Sequence, residues 1–223
     1  MDLNLYSTIY YLSDCMSMII AAICGVLCYF RVRRRIEYKL FFTLLGGFYA
    51  CVFLCHFYFL LTWYVIDYPY IISPGDFSWV GGIVFLITAD MALIDTQMPE
   101  QKEKLKMFRL IAMAAPAICT AFNVAFVIIY PEIIINYMLY YIPTAILSYY
   151  ALYLFVAGSR GRKTPLRNYH LITLIWIAFQ LFHDFYSTLG WDYGYALPTT
   201  IFIWLVVIAT PFVYVSAIRG INA

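Results

Sequence analysis

The sequence predicts an all-α fold: a seven-transmembrane-helix bundle with its N-terminus outside and its C-terminus in the cytoplasm. Composition is the first reason. Of 223 residues, 65% are apolar and 12% charged, with a mean hydropathy of +0.82; soluble domains have about 45–50% and about 25%. A soluble core of this size could not bury so much apolar surface, so lipid is the expected solvent. Charge placement is the second. All 14 Lys and Arg fall in four groups, Arg31 to Lys39, Lys102 to Arg109, Arg160 to Arg167, and Arg219. The third is that each gap between groups holds two crossings, so alternation puts every cation on one face, the cytoplasmic one.

The first crossing, 7–30, ends at the Arg31–Arg35 run. No basic stretch precedes it, so no cleavable signal peptide is expected. The second, 40–65, starts after Lys39 and ends before Asp67, and the third, 77–97, runs from Asp76 to the polar connection Gln97–Lys106. The fourth, 106–130, and the fifth, 134–157, flank Glu132. The sixth, 168–190, follows Arg167; the seventh, 197–218, follows Asp192 and stops at Arg219. Each exceeds the ~20 residues that span the hydrocarbon core. The outer loops thus carry Asp67, Asp76, Glu132 and Asp192 and no basic residue. Pro116, Pro143 and Pro211 lie within the fourth, fifth and seventh crossings and predict kinks, because proline removes a backbone donor.

The chain reads as one membrane domain, 1–223, with no segment for a soluble effector domain, so an inward signal needs a partner. Tyr6, Tyr10, Tyr11, Trp63, Trp79 and Trp191 sit toward helix ends, as interfacial aromatics do. Cys15, Cys24, Cys28, Cys51, Cys55 and Cys119 all fall within crossings, against a disulfide-stapled exterior. Cys24/Cys28 and Cys51/Cys55 each share a helix face and read as small packing residues, a metal pair being the alternative. An internal repeat is also suggested. Leu54-Cys55-His56 followed by Trp63 resembles Leu181-Phe182-His183 followed by Trp191, about 127 residues on. Crossings 1–3 then correspond to crossings 5–7 as a 3+1+3 parallel repeat, as in small-solute carriers; chance likeness of so short a stretch is the alternative.

Ionisable groups deep in a bilayer cost roughly 2.5–3.5 kcal/mol each, so their positions are informative. At ~1.5 Å per residue from the cytoplasmic end, Asp14, His56, Asn123, His183 and Asp184 all reach about 24–26 Å, with Gln180 one turn below. Polar side chains on four helices at one level predict a water-accessible pocket in the outer half of the bundle. Imidazoles there can titrate near neutral pH beside carboxylates. Two alternatives stay open, ordinary hydration near the outer headgroups and a His/Asp metal site. His170 is placed at the opposite face, too far to be a third ligand, which argues against intramembrane hydrolysis. Asp90, only ~10 Å from the cytoplasmic end, is either hydrogen-bonded within the bundle or part of a proton pathway; Asp95 belongs to the interface.

Several stretches resemble the microbial rhodopsin superfamily. Asp90-Met91-Ala92-Leu93-Ile94-Asp95-Thr96-Gln97 looks like the cytoplasmic end of that family's third helix, and the match implies that Asp90 stands at the proton-donor position. Pro143-Thr144-Ala145-Ile146-Leu147-Ser148-Tyr149-Tyr150-Ala151-Leu152-Tyr153 is similar to its fifth helix. Trp176, Phe179 and His183 resemble residues lining its retinal pocket. The resemblance implies a retinal-binding lysine in the middle of the seventh crossing. That crossing has none; the neighbourhood holds Thr210, Pro211 and Tyr214, and all five lysines lie at the cytoplasmic face. The counterion carboxylate is missing too, with Trp79 near its place. A covalent retinal protein is thereby excluded, leaving a lysine-free opsin-related protein.

The expected function is a receptor or sensor of the plasma membrane with an outward-facing polar–aromatic pocket for a small molecule or protons. Its site residues are Asp14, His56, Asn123, Trp176, Phe179, Gln180, His183 and Asp184, with Asp90 as the proton-pathway candidate. The alternative is a small-solute transporter. No cofactor or metal is expected, and nothing points to catalysis or to nucleic acid. The expected partners are the lipid bilayer, an unidentified small-molecule ligand, and a signalling protein or a second copy.

Overall fold

A computed structural model describes residues 3–34, 38–65, 73–97, 102–129, 134–157, 166–189 and 195–222. The outer-loop residues Asp67, Glu132, Trp191 and Asp192 and the basic residues Arg35, Arg160, Arg162 and Lys163 lie outside the described residues, as do the side chains of Tyr6, Trp63, Asp95, Lys102 and Lys104.

The described residues form helices α1 (Leu3–Arg34), α2 (Lys39–Val65), α3 (Pro74–Gln97), α4 (Lys102–Ala112), α5 (Ala114–Ile129), α6 (Ile134–Ala157), α7 (Arg167–Leu189) and α8 (Ala196–Asn222). Six spans are long and apolar enough to cross a membrane: Thr8–Arg34, Lys39–Thr62, Pro74–Ile94, Leu105–Ala125, Met138–Ala157 and Ala196–Ile221. Large apolar side chains such as Ile23, Phe77, Leu110 and Ile128 point outward on these helices. Such a surface is suited to lipid and not to water. This is a multi-pass membrane protein.

Two features differ from the sequence expectation. The fourth crossing is divided at Met113, so that α4 and α5 replace one helix. Pro116 supplies the reason: its ring clashes with the carbonyl four residues back, that of Ala112, and it has no N–H to bond there. The Met113 amide keeps its helical bond to the Arg109 carbonyl and also donates to that of Leu110, each at 3.2 Å. The sixth crossing is helical as α7, but it is too polar to stand with the six apolar spans, because it carries His170, Gln180, His183 and Asp184.

Helix starts and ends follow local chemistry. Ser73 and Asp76 form a capping box at α3: the Ser73 amide donates to Asp76 Oδ2 at 2.6 Å and the Asp76 amide to Ser73 Oγ at 3.3 Å. Pro74 at the first helical position has no N–H to leave unsatisfied. Asp76, expected in a loop, is therefore part of the first turn of α3. Arg31, Arg33 and Arg34 occupy the last turn of α1, where cations face the negative end of the helix dipole.

Helices α1, α2, α3, α6, α7 and α8 are successive neighbours, and α8 returns to α1, closing a ring. The pair α4–α5 packs on α6 from outside, through Phe108 and Ala112 against Tyr153 and Ala157. Across the ring α2 faces α7. Phe41 meets Tyr169 edge-on at 5.3 Å, and Phe48 meets Trp176 at 5.7 Å. Trp79 of α3 stacks on Trp176 at 5.5 Å. These rings fill the middle of the bundle.

Candidate functional site: a polar cleft over an aromatic floor

At the end of the ring formed by the start of α1, the six ring helices surround a cleft of about 520 Å3. That size falls within the range of about 300–1,000 Å3 usual for small-molecule pockets. Asp14 from α1, His56 from α2, and Gln180, His183 and Asp184 from α7 line it together. Its walls are aromatic where Trp79 and Tyr140 stand, and no Lys or Arg contributes.

Two hydrogen-bonded sets organise the polar groups. In the first, Asp14 and His56, both buried, meet at 2.8 Å between Oδ1 and Nδ1. The edge of Trp79 lies 6.1 Å from the imidazole, centroid to centroid. In the second set, Tyr10 OH lies 3.3 Å from His183 Nε2, and the two rings stack. His183 Nδ1 faces Asp184 Oδ1 at 3.2 Å, and Gln180 Nε2 donates to that oxygen at 2.7 Å. Asp184 is the most open member of the pair, its side chain 25% exposed against 9% for His183. A third carboxylate stands on the rim, where Tyr140 OH donates to Asp76 Oδ1.

The two sets leave acceptors over. Asp14 Oδ2 and Gln180 Oε1 are buried with no hydrogen-bond partner among the described residues. A buried polar group that stays unsatisfied costs about 1–3 kcal/mol, more when it is charged.

The cleft ends on an aromatic floor. Trp176 Nε1 donates to Thr210 Oγ1 at 3.1 Å, and Tyr49 OH donates to the Thr210 carbonyl at 3.0 Å. Buried Trp176 and Tyr49 fill the space before Thr210. Comparison of the chain with protein-family models, with curated proteins and with solved structures gave no match. Its chemistry is therefore read from its own side chains.

Asp14, His56, Gln180, His183 and Asp184 come together in the cleft. Asn123 does not: it stands on α5, outside the ring, and is absent from the lining. Trp176 belongs to the floor, and Phe179 packs against the core. Beneath the floor lies a pair that sequence reasoning separated. Asp90 and His170, both fully buried, approach to 3.5 Å between Oδ1 and Nδ1, with Tyr169 against the imidazole at 5.0 Å. His170 is buried inside the bundle, on the far side of the floor from the cleft, and its turn of α7 points inward. Tyr10 and Tyr140 were also missed, because their positions fit interfacial aromatics equally well. Tyr10 stands one helical turn from Asp14, a spacing that places both on one face. Among the described residues no three His, Cys, Asp or Glu side chains converge as metal ligands, and all six cysteines are free.

Proposed function

We propose that this protein is a plasma-membrane receptor or sensor that binds a small molecule in the cleft from outside and signals through a partner protein or a second copy. The observation that carries the reading is the convergence of two Asp–His sets, from α1, α2 and α7, on one cleft that retains unsatisfied acceptors. In this reading α7 also crosses the membrane, as the sixth of seven spans. Its 23 residues reach ~34 Å at 1.5 Å per residue, and its polar side chains turn to the interior. Seven crossings put the chain ends on opposite sides, with Arg31–Arg34 in the cytoplasm and the cleft outside. The lysine-free opsin-related reading is part of the same proposal: a rhodopsin-like bundle whose retinal space is filled by aromatic rings.

Purification from native membranes, followed by mass spectrometry of the small molecules carried through, tests the cleft. The wild type is expected to retain a compound that His56→Ala and His183→Ala lose while inserting normally. If both variants hold the same compounds as the wild type, the cleft is not the binding site.

One observation favours a carrier as the second reading. The ring pairs α1–α3 with α6–α8 and leaves α4–α5 outside, the arrangement expected of a 3+1+3 repeat. Buried Phe42, Tyr49 and His56 correspond, 127 positions on, to buried Tyr169, Trp176 and His183. A carrier moves its solute into proteoliposomes; a receptor binds it without flux.

A further inference from the structure

We propose that the cleft is a site for a small organic cation that carries N–H donors, a primary or secondary ammonium on an aromatic or alkyl body. This deepens the cleft reading above and rests on it.

Three observations converge on that class. The first is the sign of the unmet need. Asp14 is 3% exposed and Gln180 8%, and the atoms left over, Asp14 Oδ2 and Gln180 Oε1, are both acceptors. A ligand that satisfies them must donate. The second is charge. Asp14 and Asp184 line the cleft with no Lys or Arg among its walls, and the sequence holds none between Lys39 and Lys102 or between Arg167 and Arg219. An anion would meet the Asp14 and Asp184 carboxylates and no Lys or Arg among the described lining residues. A neutral ligand would leave the Asp14 carboxylate with His56 alone. The third is the aromatic wall. Trp79, Phe59, Tyr10 and Tyr140 surround these acceptors, and ring faces attract a desolvated cation. The same walls disfavour a bare divalent metal, which needs four or more oxygen or nitrogen ligands; no group of three such side chains exists among the described residues.

The two histidines fit the same picture. His56 and His183 each use a ring nitrogen on a carboxylate, and this holds the acceptors in place at the mouth of an otherwise apolar enclosure. Gln180 is fixed in one orientation by its donation to Asp184, so its carbonyl oxygen is the atom left facing other groups.

Three probes with one skeleton separate the possibilities: phenethylammonium, 2-phenylethanol and phenylacetate, titrated into the full chain in lipid nanodiscs. Phenethylammonium is expected to bind and the other two not. Asp14→Asn and Asp184→Asn are each expected to weaken it at least about tenfold, the usual cost of losing a charge-assisted bond. Asp184→Asn alters the more exposed carboxylate, so it reports even if Asp14→Asn does not fold. Equal binding of the alcohol, unchanged in either variant, overturns the cation and leaves the cleft a binding site. Preference for phenylacetate does the same. Binding of none of the three also overturns the proposal, and the His56→Ala and His183→Ala comparison then decides whether the cleft reading survives.

Discussion

Asp90 and His170 are ionisable side chains with no exposed surface, 3.5 Å apart on facing helices. Removing one partner of such a pair takes a polar contact from the other in a medium that solvates it poorly. Asp90→Leu is expected to destabilise the protein by about 3–5 kcal/mol. The double variant Asp90→Leu with His170→Leu is expected to regain much of that loss, because an apolar pair needs no compensation. Thermal unfolding of the four proteins measures the coupling, and additive effects would mean that the two groups do not sense each other. The cleft residues were more legible in the sequence than this pair. Helix rise is constant, so Asp14, His56, His183 and Asp184 could be assigned to one depth. Depth says nothing about rotation around the axis. For that reason Asn123 was grouped with them although α5 lies outside the ring, and the inward turn of His170 toward Asp90 was not foreseen.

Between α2 and α3, glycine decides how closely two elements approach. A Cβ on Gly82 would lie 3.3 Å from the Phe48 ring and 3.4 Å from Cys51 Cβ. Phe48 is buried against Trp176 and cannot step aside. A Cβ on Gly47 would come closer still, 2.7 Å from the Phe85 ring, but Phe85 is 37% exposed and can swing toward lipid. Gly82→Leu is therefore expected to cost about 1–3 kcal/mol by overpacking, and Gly47→Ala distinctly less. Melting of the detergent-purified variants checks the order, and the reverse order would show that Phe48 yields. The sequence marked Pro116, Pro143 and Pro211 as kink sites in equal terms. Pro143 and Pro211 remain within α6 and α8, and the break comes one turn before Pro116, between α4 and α5.

For the whole molecule, the proposed odd number of crossings depends on α7. Six spans are apolar enough by themselves, and six would return the C-terminus to the side of the N-terminus. The polar residues that lower the apolarity of α7 are those turned into the cleft and against Asp90, so they do not meet lipid. Reporters fused to the two chain ends are expected in opposite compartments, with the C-terminal one in the cytoplasm. The same compartment for both would take α7 out of the membrane and the cleft out of its outer half.

The sequence by itself determined the solvent, the lengths of the apolar helices and the grouping of Lys and Arg between them, because hydropathy and charge are read along the helix axis. The tertiary structure decided which faces meet. It joined Tyr10 to His183 across 173 positions, set α2 opposite α7, put α4–α5 outside the ring, and left Asp14 and Gln180 with acceptors to fill. Those outcomes depend on rotation about each axis and on the choice of neighbours, which packing fixes only once all the helices are present.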